Sequence, residues 1–167
     1  MRADIWWMQV NRHSDLTEAL QVLVGKRLSG VGQAAGMGVF EFGEPTTGLD
    51  GVSGQKVQGS EYAIHVQCAF RLARNGFVVL GSDDYRWSKG PDDSMRTMFD
   101  LRAEAIDQSL AKPPYTLVDE VAVSSVGDVR VGLSGGLEIG VFVNSSRPTE
   151  QWRFLCRFGD HTVFPAT

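Results

Sequence analysis

Glu61–Leu72, EYAIHVQCAFRL, carries four side chains capable of chemistry at odd-numbered positions of a regular alternation. Glu61, His65, Gln67 and Arg71 offer a carboxylate, an imidazole, an amide and a guanidinium. Side chains of a strand point to alternate faces, so these four are expected on one side together with Ala63 and Ala69, whose small size leaves room beside them. His65 with Glu61 would do general acid–base work if a distant residue completed the site. A solvated face of an antiparallel sheet has the same polar pattern, so the arrangement by itself does not separate a site from a wet surface.

Tyr85 and Trp87 form a second candidate group, in a polar loop expected over Asp83 to Asp93. An aromatic ring among glycine and aspartate residues suits a partner anchor, and Trp87 is a better candidate for an exposed anchor than Trp6 or Trp7. Adjacent Trp6 and Trp7 cannot both face inward on a strand, so one is expected at a rim or contact surface. Trp152 alternates with Phe154, Cys156 and Phe158 and reads as core.

Other motifs are weaker. Gly30-Val31-Gly32-Gln33-Ala34-Ala35 has the spacing of a dinucleotide loop, but a helix precedes it and strand-like residues follow, the reverse of the context that loop needs. His13, His65 and His161 are scattered, and the pairs Asp83-Asp84 and Asp92-Asp93 lack the offsets of a calcium loop. No metal or cofactor is therefore expected. Cys68 lies three residues from His65, on the opposite face, so the two cannot form a nucleophile–base pair. Neither Cys68 nor Cys156 reads as an activated thiolate, and no Gly-x-Ser-x-Gly elbow occurs.

The even-numbered partners of the opening run, Tyr62, Ile64, Val66, Cys68, Phe70 and Leu72, form a core stripe. Asn75-Gly76 then turns the chain into a second strand over Phe77 to Ser82, because both residues tolerate positive φ. Upstream, Leu16, Ala19, Leu20, Leu23 and Val24 recur at helical spacing over Ser14 to Val24, with Asp15 and Glu18 as a capping box. Glycine-rich 28–42 reads as two strands or one long bent strand, and 43–60 as a loop. A second helix is expected over Ser94 to Ala111, its apolar side made by Met95, Met98, Phe99, Ala105 or Ile106, and Leu110. Short strands follow over Leu117 to Ser124, Asp128 to Leu133, Leu137 to Val143, Trp152 to Phe158 and His161 to Phe164.

AFRL, a turn and an apolar strand resemble QWRF, Gly159 and His161 to Phe164, each after a strand pair. Such a repeat implies two related β units around one core, each with a helix. Hairpins outnumber any βαβ pattern, so the expected fold class is α+β: mainly antiparallel sheet built of hairpins, with two helices packed on it.

At 167 residues the chain fits one domain, residues 1–167, and a hydrophobic fraction of 43% with 22% charged residues suits a globular protein. Net charge is −4 and no Lys/Arg run exceeds Lys26-Arg27, which argues against a nucleic-acid partner. No window reaches the ~20 apolar residues that span a bilayer, and the N-terminus lacks the long apolar stretch of a secretion signal. A cytoplasmic setting with no membrane partner is the expectation. Two cysteines are too few for a disulfide scaffold.

Glu61-Tyr62-Ala63-Ile64-His65-Val66-Gln67-Cys68, together with VLGSDDY and DVRVGLSGGLEIGVFVNSS…EQWRF, resembles a group of small actinobacterial proteins without an assigned activity. The likeness spans residues 14–164 and departs at Ala69, where such proteins often carry proline. It implies one fold unit and a bacterial cytoplasm, and transfers no catalytic residues. The leading expectation is a non-enzymatic protein-binding domain of the immunity or accessory type. The alternative is a small-molecule binding protein or enzyme using Glu61, His65, Gln67 and Arg71. Self-association through an edge such as His161 to Phe164 would make a homodimer.

Overall fold

Alternating apolar residues broken by glycine turns yield ten strands in the computed structural model, which describes residues 13–49, 54–88, 95–157, 159 and 161–165. The order is α1 (His13–Gln21), β1 (Leu28–Ala34), β2 (Met37–Leu49), β3 (Lys56–Val66), β4 (Ala69–Arg74) and β5 (Phe77–Gly81). It continues with α2 (Met98–Leu110), β6 (Val118–Val123), β7 (Val129–Leu133), β8 (Leu137–Phe142), β9 (Trp152–Cys156) and β10 (His161–Phe164). Two antiparallel sheets result, ordered β1-β2-β3-β9-β10 and β5-β4-β8-β7-β6. The fold is α+β and mainly antiparallel, as the turn pattern predicts.

The two halves of the chain have the same element order, a helix, a three-strand meander and a hairpin. Each sheet takes its meander from one half and its hairpin from the other. The helices are exchanged as well: α1 lies against β6 and α2 against β1. Register makes the equivalence residue-specific. In one sheet Phe40 pairs with Ile64 and Ile64 with Phe154; in the other Val131 pairs with Ile139 and Ile139 with Leu72. The AFRL/QWRF likeness thus marks β4 and β9, strands in the same structural role.

Inward-facing side chains of both sheets meet in one core. Phe40, Phe42, Ile64, Leu72, Leu80, Ile139 and Trp152 are fully buried there, with Leu20 and Leu23 from the α1 side and Phe99 from α2. Each such side chain contributes about 1.5–3 kcal/mol by leaving water. Phe40 of one sheet meets Phe70 of the other edge-on at 5.6 Å, which joins the layers.

Helices also seal two sheet edges. The Asp107 carboxylate accepts the free Val31 N–H of β1 at 2.7 Å, and the Gln21 side-chain amide donates to the Val121 carbonyl of β6 at 3.2 Å. An edge strand left bare would pair with other chains. Burial pushes the Asp107 carboxyl above its ordinary pKa, and the Val31 bond only partly opposes this.

Several sequence expectations need correction. The strand over 61–72 is two strands: β3 stops at Val66, and β4 begins at Ala69 in the other sheet. Gln67 and Cys68 make the corner between them, and both of their N–H groups donate to the Gln151 carbonyl. Sheets that cross at a corner exchange strands in this way. Residues 43–49 and 56–60 are strand, since β2 and β3 stay paired out to Leu49 and Lys56. Gly43, at φ +86°, allows the bulge that starts this polar extension. Pro45 lies beyond the last pair with β1, where β2 has become an edge strand, the position in a sheet that tolerates proline.

The first helix begins at His13 and ends at Gln21, so Asp15 falls in its first turn and is not the cap, and Val24 is exposed. α2 starts at Met98, because Thr97 and Asp100 cap it reciprocally: Thr97 Oγ1 accepts from the Asp100 N–H and Asp100 accepts from the Thr97 N–H. Met95 consequently lies outside the helix and is exposed, while Phe99, Ala103 and Leu110 are buried. β9 ends at Cys156. Trp6, Trp7, Asp92 and Asp93 lie outside the described residues.

Candidate functional site

Strand geometry separates the four polar residues that the alternation grouped. Glu61 and His65 stay together on the outer face of β3, Gln67 sits in the corner, and Arg71 belongs to the other sheet. A corner rotates the strand direction, so continued alternation no longer means a shared face.

Glu61 accepts the Glu44 N–H at 3.0 Å and the Lys26 ammonium at 3.2 Å. These bonds, the backbone one foremost, hold its carboxyl below the usual range. Its side chain also packs where a Cβ on Gly43 would stand. His65 is half-buried between its ladder neighbours Val39 and Arg153. Burial first, then the Arg153 and Arg157 charges, lower its pKa and favour the neutral ring. Arg71 stacks its guanidinium over the Phe142 ring, 4.7 Å from the centroid, and that ring in turn fills the space beside Gly140. Glu61 and Arg71 are thus held in structural contacts on different sheets.

Tyr85 and Trp87 also part company. The 3₁₀ turn Ser82–Arg86 directs Tyr85 inward, stacked on Phe99 at 4.2 Å and edge-on to Phe70 at 6.2 Å. Its hydroxyl is buried and meets no hydrogen-bond partner among the described residues. Burial, with Asp100 nearby, pushes the phenol up to about 12. Tyr85 is therefore half-buried and not an exposed anchor. Trp87 is 61% exposed, although its backbone is fixed at both ends: its N–H donates to the Asp84 carbonyl and its own carbonyl accepts from the Met98 N–H at 2.6 Å.

The corner itself is concave. A cleft of about 450 Å³ opens where β3 passes into β4, floored by Val66, Ala69 and Phe70 and rimmed by Gln67, Ser82 and Asn144. Tyr85 forms one wall, so Gln67 and Tyr85 are the predicted residues that this cleft brings together. Asn144 escaped the sequence reading because it follows β8, which reaches the corner only through long-range pairing with β4. Ser82 directly follows the legible β4–β5 hairpin, and only the register shows its hydroxyl accepting the Phe70 N–H at 3.2 Å. The internal repeat was the signal that would have pointed to Ser82.

Cys68 lines the same cleft but is inert by environment, its thiol pushed up to about 11 mainly by burial. Iodoacetamide at about pH 8 is expected to leave Cys68 unmodified in the folded protein and to label it after guanidinium unfolding, as read by peptide mass spectrometry. Labelling within seconds under native conditions would contradict this environment. Both cysteines are free thiols. Among the described residues, no group of three or more His, Cys, Asp or Glu side chains is placed to hold a metal ion, and no helix is long and apolar enough to cross a membrane.

No protein-family model matches the chain, and neither a curated protein nor a solved structure matches it.

Proposed function

We propose that this chain is a non-enzymatic protein-binding domain, of the immunity or accessory type, working in a bacterial cytoplasm. One observation carries the reading: the Trp87 indole is presented to solvent from a backbone held by two hydrogen bonds. A large ring on a rigid mount loses little conformational entropy on contact, which is why tryptophan recurs among the residues that dominate interfaces. Met95, 91% exposed, precedes α2, and the bridge between Ser88 and Thr97 draws together the two ends of the segment that carries it. Phe77 and Val78 of edge strand β5 are exposed as well.

Affinity capture from the host, followed by titration of the purified pair, tests the reading. Trp87→Ala is expected to weaken the complex by about 2 kcal/mol or more, roughly 30-fold, while thermal stability stays unchanged because the ring packs little against the core. Equal affinity for both forms would reject Trp87 as the anchor. Light scattering on the free protein decides whether the partner is a second copy, for which the β10 edge, His161–Phe164, is the candidate contact.

A further inference from the structure

The two halves differ at one pair of equivalent corners, and the difference is a missing ring. Pairing of β4 with β8 and of β9 with β3 makes Trp152 the counterpart of Phe70. Pairing within the hairpins, Leu72 with Leu80 and Phe154 with Thr162, makes Phe164 the counterpart of Ser82. Gly127, two residues before Val129, likewise corresponds to Gly36, two residues before Gly38.

In the second half this corner is full. The Trp152 indole N–H donates to the Gly127 carbonyl at 2.8 Å, and the Phe164 ring stacks on the indole at 5.5 Å with planes 10° apart. Phe164 presses so closely on Gly127 that a Cβ there would collide with it. In the first half nothing lies within 4 Å of the place where a Cβ on Gly36 would stand. Phe70 replaces the indole, Ser82 replaces the phenylalanine, and Gly36, Phe70 and Ser82 all line the cleft. Tyr85 lies edge-on to Phe70 here, but the space beside Gly36 stays open where Phe164 closes the equivalent corner.

We propose that this cleft is a binding site for an uncharged planar ring, aromatic or heteroaromatic, which takes the place that Phe164 holds in the other half. The floor is apolar, and among the described residues the Gln67 and Asn144 side-chain amides at the rim have no hydrogen-bond partner, so they are free to meet polar atoms on the ring's edge. Charge is not called for. Arg86 on the rim is paired with Asp83 at 3.1 Å, and the Cys68 thiol is neutral. Trp87 is not among the residues that line this cleft.

The full chain, labelled with ¹⁵N, tests this by titration with purine and quinazoline as free heterocycles and with N-acetyl-tyrosinamide as a blocked aromatic side chain. At least one probe is expected to move the Gly36 and Phe70 amides and the Gln67 and Asn144 side-chain signals, with Kd on the order of 1 mM or tighter for so small a ring. Preference for the heterocycles assigns the ring to a free small molecule; preference for the blocked tyrosine assigns it to a peptide side chain. Ser82→Phe, which copies the filled corner, is expected to weaken binding about tenfold or more. Absence of those shifts, or equal binding by the folded Ser82→Phe variant, overturns the proposal. If that variant does not fold, cross-relaxation between the probe and the Phe70 and Tyr85 rings of the unaltered protein decides it, its absence counting against the site.

Discussion

Trp152→Ala is expected to destabilise the protein by about 3–5 kcal/mol, the range for truncating a large buried aromatic side chain. The indole is fully buried, lies against Phe164, and supplies the hydrogen bond that satisfies the Gly127 carbonyl. Its removal opens a cavity and strands that carbonyl in one step. In urea the unfolding midpoint is expected to fall by about 2 M, taking a slope near 2 kcal/mol per molar. Trp152→Phe separates the two contributions. It keeps a ring beside Phe164 but leaves the carbonyl without a donor, a loss of about 1–3 kcal/mol. A midpoint unchanged in Trp152→Ala would mean that the corner is loosely packed.

Phe40→Ala is the second large effect, again about 3–5 kcal/mol. Phe40 lies in the first half of β2, paired with Val31 on one side and Ile64 on the other, and is fully buried. Its contact with Phe70 spans the two sheets, so truncation removes packing that holds the layers together and that no local ladder bond replaces. Phe40→Leu restores most of the volume and is expected to cost less than about 1.5 kcal/mol. The same urea titration measures both. Equal midpoints for the alanine and leucine forms would show that ring volume at this position does not matter.

Both effects are sizeable because domains of this class have only about 5–15 kcal/mol of net stability. Trp87→Ala removes a ring that the core does not use, so it tests binding without this burden.

Legibility in the sequence varied with the range of the interaction involved. The inward set of 61–72 was readable: Ile64, Val66, Cys68, Phe70 and Leu72 are all buried, and Tyr62 packs partly against the core. The Asn75-Gly76 hairpin was readable too, with both residues at positive φ. The candidate site was not. Glu61, His65, Gln67 and Arg71 looked like one face, yet Arg71 lies in a different sheet from Glu61 and His65. Inward alternation runs on through Gln67 and Cys68 without a fault, so the pattern carries no mark of the corner. The polar extension of β2 and β3 was missed for a related reason. Its glycines and Pro45 signal a loop, while cross-strand pairing from Pro45–Ser60 to Leu49–Lys56 keeps it extended.

Which way each side chain points, and where the chain turns, follow from Cβ geometry and local φ preferences, so the amino-acid order alone determined the core stripe, the hairpins and the α+β class. The exchange of hairpins between halves, the split of the polar residues and the open corner beside Ser82 were decided only by tertiary structure. Each depends on ladder hydrogen bonds and packing between segments far apart in the chain, and no short window of sequence contains both partners.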